Sequence, residues 1–285
     1  MRQTIPAPET VPVVREAANL VYRQVPGWGQ VGSRPLHLTL LRAPAAAQPQ
    51  PVIVWLCGGA WLDVDHNVWL PELNAFARAG YAVASVQYRL SNVAPFPAPL
   101  TDVKAAIRYL RAHAREWGLD PCRFAIMGES AGGFLSALAG ATGQTRQFDE
   151  GDNLDESSAV QAVVDWYGPT DLAAMTQALL PGRPADALSS PEDLLLGANL
   201  ACHPEAAQAA NPMAYIGDAT PPYLILHGTA DPLVPIEQSR MLEAALSAAG
   251  RDARLYELEG AGHGTPAFSQ PAIKDLILGF LQEVL

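Results

Sequence analysis

The sequence is poor in cysteine, in charged residues and in long apolar runs. Its 285 residues include only Cys57, Cys122 and Cys202, which form neither a disulfide framework nor a spacing typical of a zinc site. No run reaches about 18 uninterrupted apolar residues, so we expect no transmembrane helix. Residues 1–12 lack the basic start and apolar stretch of a signal peptide, and we therefore expect a cytoplasmic protein.

Basic residues are also scarce, since 18 lysines and arginines face 29 acidic residues and the formal net charge is −11. Nucleic acid binding needs a surface rich in lysine and arginine, and anionic membranes repel an acidic protein, so we expect neither partner. Hydrophobic residues make up 49% of the chain, enough to bury a large core. Because there is no internal repeat or long linker, we predict one domain over residues 1–285.

Short apolar runs alternate with amphipathic stretches along most of the chain. Strands are predicted at residues 36–41, 52–57, 81–88, 124–127, 160–166, 223–227 and 254–258. Helices are predicted at residues 66–79, 100–116, 131–141, 237–249 and 267–284, and residues 43–51 read as a loop. This alternation is typical of an α/β fold with a doubly wound, mostly parallel sheet. Residues 169–221 carry no strand pattern, and we interpret them as a small lid-like insertion.

The segment Gly128-Glu129-Ser130-Ala131-Gly132 matches the pattern G-x-S-x-G. It follows an apolar strand and opens a predicted helix, which is the context of the nucleophile elbow of α/β-hydrolases. The two glycines remove side chains that would collide with the strained turn, and the helix N-terminus favours developing negative charge. We therefore predict that Ser130 is a catalytic nucleophile.

A serine nucleophile needs a base and an acid. His263 lies in a glycine-flanked loop after the last predicted strand, where its imidazole can reach the strand ends. The other five histidines are interpreted as packed or surface residues: His37, His66, His113, His203 and His227. In α/β-hydrolases the acid lies between the serine and the histidine along the chain. Asp231, directly after the strand at 223–227, fits this order better than its rivals Asp165 and Asp171.

Acyl transfer also needs N–H donors aimed at the carbonyl oxygen that becomes negative. We predict that the N–H of Ala131 is one donor and that the loop after the strand at 52–57 supplies the others, from Gly59 and Ala60, with Gly58 as an alternative. We expect the neighbouring side chains of Trp61 and Glu129 to contact the substrate, with a plain core position as the alternative for Trp61.

Seven short motifs lie along the chain in a characteristic order. They are Cys57-Gly-Gly-Ala-Trp61, Tyr88-Arg89-Leu90, Ala94-Pro-Phe-Pro97, Gly128-Glu-Ser-Ala-Gly-Gly133, Trp166-Tyr-Gly-Pro-Thr-Asp171, Asn211-Pro212 and His227-Gly-Thr-Ala-Asp231. Over roughly residues 20–285 the sequence resembles the bifunctional feruloyl and acetyl-xylan esterase-like family, a subgroup of the hormone-sensitive-lipase-like esterases. The resemblance implies an α/β-hydrolase fold and a serine carboxylesterase without metal or cofactor. Its expected substrates are acetyl or hydroxycinnamoyl esters, commonly of carbohydrates, or small model esters.

The sequence departs from this family at Cys57, where a histidine usually braces the oxyanion loop. A thiol makes only weak hydrogen bonds, so we expect the loop to be held differently. We do not expect Cys57 to be a second nucleophile.

Other functions share part of this pattern. An amide hydrolase such as an arylformamidase would use the same triad, whereas a non-catalytic binding module would lack a triad member, and none is missing. A lipase acting at interfaces would need a large apolar lid. The insertion instead carries acidic residues, so we expect long acyl chains to be poor substrates: Asp186, Glu192, Asp193 and Glu205.

Overall fold

In the part of the chain that the structure describes, eight strands form one sheet that is parallel except at one edge. The computed structural model describes residues 3–4, 13–27, 31–43, 48–182, 188 and 190–285. The strands are β1 (Arg15–Pro26), β2 (Ser33–Arg42), β3 (Gln50–Leu56), β4 (Ala82–Val86), β5 (Leu119–Glu129), β6 (Ala162–Trp166), β7 (Tyr223–Gly228) and β8 (Ala253–Leu258). Their order is β1-β2-β4-β3-β5-β6-β7-β8. β2 pairs antiparallel with both β1 and β4, and all later neighbours are parallel.

Helices cover both faces of this sheet. They are α1 (Leu70–Arg78), α2 (Ala98–Ala112), α3 (Ala114–Trp117), α4 (Ala131–Ala141), α5 (Leu172–Leu179), α6 (Pro191–Leu196), α7 (Glu237–Ala248) and α8 (Pro271–Val284). In β3, Val52 and Val54 pack into a core with α2 and α4, whereas Ile53 and Trp55 pack into a second core with α1 and α8. Because alternate residues of a strand point to opposite faces, two cores on one strand mean that the sheet is covered on both sides. The predicted doubly wound α/β fold is therefore confirmed.

Strand β1 is absent from the sequence-based prediction. It lies at the sheet edge, and many of its side chains are exposed. Its pairing with β2 shifts register twice, between Ala17 and Leu20 and between Val21 and Arg23, and Asn19 has a positive φ of 59°. These irregularities interrupt the alternation of apolar and polar residues by which strands are recognised in a sequence.

Several helix boundaries differ from the prediction. α1 begins at Leu70 instead of residue 66, and α8 begins at Pro271, after a short 3-10 segment at Pro266–Ser269. The helix predicted at residues 100–116 is divided at His113 into α2 and α3. α4 spans residues 131–141, as predicted.

Between β6 and β7, the described residues of the segment 169–221 contain helices and no strand. They form α5, α6 and two 3-10 segments, Pro204–Ala210 and Pro212–Tyr215. Asp193, one of the acidic residues of the insertion, is buried, and its Oδ1 accepts a hydrogen bond from the N–H of Leu200 at 2.9 Å. Asp186 lies outside the described residues, as do residues 44–47 of the predicted loop and residues 1–2 and 5–12. None of the described helices is long and apolar enough to cross a membrane.

Candidate active site

Ser130 lies on the sharp turn between β5 and α4. Its φ is +54°, a strained conformation for a residue with a side chain, and its N–H donates to the carbonyl of Trp166 at 2.8 Å. The turn brings Gly132 against β3, where a Cβ on Gly132 would lie only 2.0 Å from the carbonyl oxygen of Leu56. Glycine is required there because any side chain would push α4 off the sheet and displace Ser130.

Three side chains predicted to act together meet at the carboxyl ends of the strands. His263 Nε2 lies 2.9 Å from Ser130 Oγ, and His263 Nδ1 lies 2.7 Å from Asp231 Oδ2. Because a carboxylate can only accept, Nδ1 carries the proton and Nε2 is left to accept from the serine hydroxyl. The arrangement joins Ser130 to Asp231 through one imidazole, although the residues are far apart in sequence.

The carboxylate of Asp231 is buried and bonded on both oxygens. Oδ1 accepts from the N–H groups of Leu233 and Val234 at 2.8 and 3.0 Å, while Oδ2 contacts His263 and, at 3.3 Å, His227 Nε2. Burial raises the pKa of Asp231, but the bonds from the two histidines and the two N–H groups outweigh it and hold the pKa well below its usual range. Asp231 therefore stays ionised beside His263.

The loop after β3 approaches Ser130 through a tight turn. Gly59 has a φ of +129°, and a Cβ there would lie 1.9 Å from the carbonyl oxygen of Asp63. Ala60 and Ala131 both line the cavity beside Ser130, whereas Gly59 is not among the lining residues. Ala131 is the first residue of α4, so its N–H has no hydrogen-bond partner within that helix. Two of the three predicted oxyanion donors thus belong to residues that face the cavity.

Of the two predicted substrate contacts, only Trp61 lines the cavity, and its ring packs edge-on against Phe134. Glu129 is not among the lining residues of the cavity. Its buried carboxylate instead accepts a hydrogen bond from the N–H of Gly58 at 2.5 Å. Burial raises the pKa of Glu129, against the lowering effect of the Gly58 N–H. The prediction that Glu129 contacts the substrate stays a prediction, since its side chain turns toward the loop after β3 in this structure.

The contacts around Cys57, at the position where the family usually has a histidine, come from Tyr88 and Glu129. The hydroxyl of Tyr88 donates to the carbonyl oxygen of Cys57 at 2.6 Å, and the Cys57 thiol lies 3.8 Å from Glu129 Oε1. Burial, followed by the nearby Glu129 carboxylate, raises the pKa of the Cys57 thiol to about 12. The group is a neutral thiol at physiological pH and therefore a weak nucleophile. Tyr88 belongs to the motif Tyr88-Arg89-Leu90, but the sequence alone does not predict its hydrogen bond to the carbonyl of Cys57.

A cavity of about 290 Å³ opens beside Ser130 and His263. Most of its other lining side chains are apolar: Trp61, Pro169, Met175, Leu179, Leu180, Pro191, Leu233 and Val234. Two polar lining residues already bond the backbone, since Thr176 Oγ1 donates to the carbonyl of Leu172 and Ser190 Oγ accepts from the N–H of Asp193. Among the described lining residues, Glu192 carries the carboxylate. The cavity can therefore hold an apolar group close to the serine.

The BD-FAE family model matches residues 38–246, from β2 to α7. The chain belongs to the BD-FAE family. The match includes Ser130 and Asp231 and stops before His263. It confirms the family resemblance expected from the sequence motifs.

Among curated proteins, Esterase LipC of Mycobacterium tuberculosis is similar to this BD-FAE chain, with 33% identity over 91% of this chain and 64% of LipC. The chain spans about half to two thirds of the length of the curated relatives it matches. Among solved structures, a truncated carbohydrate esterase from gut microbiota is similar to this chain, with a TM-score of 0.82 and 30% identity. The alignment covers 97% of this chain and 98% of the esterase chain. An esterase from Thermogutta terrifontis, solved with butyrate bound, has a TM-score of 0.75 at 27% identity, with 93% of each chain covered.

Two contacts of this BD-FAE site lie beyond what the sequence motifs indicated. His227, interpreted from the sequence as a packed residue, is buried but also reaches the carboxylate of Asp231. The ring of Tyr167 packs edge-on against His263, with 4.6 Å between the ring centroids. The spacing of four residues between His227 and Asp231 was visible in the sequence, but the direction of the side chain was not. In the described part of the chain, no group of three histidine, cysteine or acidic residues could hold a metal ion.

Proposed function

We propose that this protein is a serine carboxylesterase in which Ser130 is the nucleophile, His263 the base and Asp231 the acid. The observation that carries the proposal is the continuous hydrogen-bonded chain from Ser130 Oγ through His263 to Asp231, at the mouth of a largely apolar cavity. The names of the curated relatives, which include several esterases, support the same function.

In the acylation step, Ser130 Oγ attacks the carbonyl carbon of the ester as its proton passes to His263 Nε2. The carbonyl oxygen becomes negative and is held by the N–H groups of Ala60 and Ala131, with the N–H of Gly59 beside them. Asp231 stabilises the imidazolium of His263. The tetrahedral intermediate collapses, the C–O bond to the alcohol breaks, and the alcohol leaves with the proton from Nε2.

In the deacylation step, a water molecule replaces the alcohol. His263 takes one of its protons as the water oxygen attacks the acyl carbon, which forms a second tetrahedral intermediate in the same oxyanion site. When the bond to Ser130 breaks, His263 returns the proton to Oγ, and the free acid is released. No further group is needed to balance the reaction.

The cavity supports substrates with an uncharged acyl group of at most about ten heavy atoms. At roughly 30 Å³ per water-sized group, 290 Å³ holds about ten such groups. The mostly apolar lining offers few partners for sugar hydroxyls, and the Glu192 carboxylate disfavours anionic acyl groups. A carbohydrate would then be the leaving alcohol, outside the cavity. The residues that α5 and α6 contribute to the lining support a lid-like role for the insertion at 169–221.

The test is hydrolysis of 4-nitrophenyl acetate and butyrate by the protein and by Ser130→Ala, with Ser247→Ala as a matched control on the exposed face of α7. We expect turnover by the protein and by Ser247→Ala, and a loss of at least about 1,000-fold in Ser130→Ala. A fluorophosphonate should add one label, on the peptide that contains Ser130. Undiminished activity in Ser130→Ala, or turnover of N-formylkynurenine without turnover of any ester, would overturn the proposal.

A further inference from the structure

His227, the last residue but one of β7, is fully buried, and both of its ring nitrogens have partners. Nδ1 lies 2.7 Å from Ser239 Oγ, and Nε2 lies 2.9 Å from the carbonyl oxygen of Val234 and 3.3 Å from Asp231 Oδ2. A buried imidazole is costly unless it is hydrogen-bonded, and these contacts satisfy it. One of them is made to the carboxylate that bonds His263.

The partners of His227 fix which nitrogen carries the proton. The carbonyl of Val234 and the carboxylate of Asp231 can only accept, so the network assigns a proton to Nε2, which is shared between them. Nδ1 of the neutral ring then accepts from the hydroxyl of Ser239 on α7. Ser239 therefore satisfies Nδ1 and helps to hold the ring in the orientation that donates toward Asp231.

Asp231 Oδ2 consequently lies between two imidazole donors, His263 at 2.7 Å and His227 at 3.3 Å. Hydrogen bonds to a carboxylate lower its affinity for a proton. During catalysis the acid has to stabilise the imidazolium of His263 without taking its proton. A second donor on the same oxygen meets this requirement, and it also fixes the rotation of the carboxylate.

We propose that His227 is a positioning residue for the acid–base pair, whose Nε2–H orients Asp231 toward His263 and keeps the shared proton on His263. The proposal rests on the proposed esterase function and adds a fourth residue that acts through Asp231 without contacting the substrate. Other charged groups that interact with His227 are Asp165 on β6 and Glu257 on β8, and the ring of Tyr167 lies 6.5 Å from its ring. These groups are unchanged in the variants described next.

The experiment is a double-mutant cycle on 4-nitrophenyl butyrate with His227→Leu, Asp231→Asn and the combined variant, each assayed from pH 5 to 9. We expect His227→Leu to lower kcat roughly 10- to 100-fold with KM within about threefold, as for other residues that support a catalytic group. The pH of half-maximal activity on the acidic side should rise. Without the second donor the Asp231 carboxylate is more basic, so it keeps His263 protonated, and therefore inactive as a base, up to a higher pH. In the Asp231→Asn background, His227→Leu should lower kcat by less than about threefold.

An equal fold-loss in both backgrounds would overturn the proposal, because it would show that His227 acts on the fold and not through Asp231. Unchanged kcat and an unchanged acidic limb would overturn it as well. His227→Gln is the conservative variant, since its amide can donate to the same oxygen, and it should recover much of the activity. Wild-type turnover and its loss in Ser130→Ala are measured first, so a failure of the esterase function is recognised separately.

Ser239→Ala tests the proposal without replacing the buried ring, should His227→Leu fail to fold. Removing the hydroxyl leaves Nδ1 without its partner and frees the ring to rotate, so Nε2–H is held less firmly toward Asp231. We expect kcat to fall roughly three- to tenfold, the scale of one hydrogen bond, with no further loss in Asp231→Asn. Ser247→Ala, on the same helix and exposed, is the matched control. A kcat equal to wild type in Ser239→Ala, or the same loss in both backgrounds, would contradict the proposal.

Discussion

Glu129 Oε1 accepts a hydrogen bond from the backbone N–H of Gly58 at 2.5 Å, so the residue before the candidate nucleophile is tied to the loop after β3. Ser130 and the loop that carries Gly59 and Ala60 come from neighbouring strands, β5 and β3. Together with the sheet and the bond from Tyr88 to the carbonyl of Cys57, this hydrogen bond sets their separation. The bond therefore holds the serine and the proposed oxyanion donors in register.

Glu129→Ala should lower kcat for 4-nitrophenyl butyrate about tenfold or more, the effect of losing one hydrogen bond to a charged group. KM should change little, because the side chain does not line the cavity. Steady-state kinetics at pH 7.5 measures both constants. Glu129→Gln is the control, since its amide oxygen can still accept from Gly58. A rise in KM at constant kcat would instead indicate that Glu129 contacts the substrate.

Cys57 should resist thiol reagents while the protein is folded. Alkylation requires the thiolate, and burial raises the pKa of Cys57 to about 12, whereas Cys122 is exposed. After treatment with iodoacetamide at pH 8, peptide mass spectrometry should show Cys122 modified and Cys57 unmodified. In urea both peptides should be modified. Rapid alkylation of Cys57 in the folded protein would contradict the contacts described for the loop after β3.

Asp165→Asn should stabilise the protein above pH 6. Asp165 is fully buried; its Oδ1 accepts from the N–H of Gly168, and Oδ2 has no partner among the described residues. Burial raises its pKa from 3.8 to about 6, so folding favours the protonated form. The contribution of Asp165 to stability is present below pH 4, is lost as the pH rises through 6 and stays absent above it.

Urea unfolding at several pH values between 4.5 and 8 measures this effect. We expect Asp165→Asn to raise the free energy of unfolding by on the order of 2 kcal/mol at pH 7.5, with a smaller increase at pH 4.5. Asp155→Asn, at an exposed position, should show no such trend. A gain that does not depend on pH would show that the ionisation of Asp165 is not its cause.

The parts of the site that the sequence predicts best are those fixed by local chain chemistry. A buried strand, two glycines and a small-residue helix define the turn at Ser130 without reference to the rest of the fold. The loop positions of Asp231 and His263 follow from chain order, since each comes directly after a strand of a parallel sheet. The structure places all three as neighbours, at 2.9 and 2.7 Å.

The contacts that the sequence does not predict depend on which way a side chain turns at a strand end. Glu129 turns toward Gly58 and not toward the cavity, and His227 turns toward Asp231. Neither direction follows from periodicity, because both residues remain paired in the sheet and the alternation gives only the face on which a side chain lies, not the group that it reaches. β1 is missed for a related reason, since its bulges and exposed edge position remove the period of two.

Met175→Trp should shift the preference of the enzyme toward shorter acyl groups. Met175 on α5 is buried and lines the cavity, so a larger ring removes volume that an acyl chain would fill. Each buried methylene contributes about 0.8 kcal/mol, or roughly fourfold in kcat/KM, until the cavity is full. With 4-nitrophenyl esters from acetate to palmitate, kcat/KM should first rise and then fall beyond about ten carbons, with an earlier maximum in Met175→Trp and a later one in Met175→Ala. Leu194→Phe, at an exposed leucine outside the cavity lining, should leave the profile unchanged. A rate that rises steadily to palmitate would contradict an acyl site of this volume.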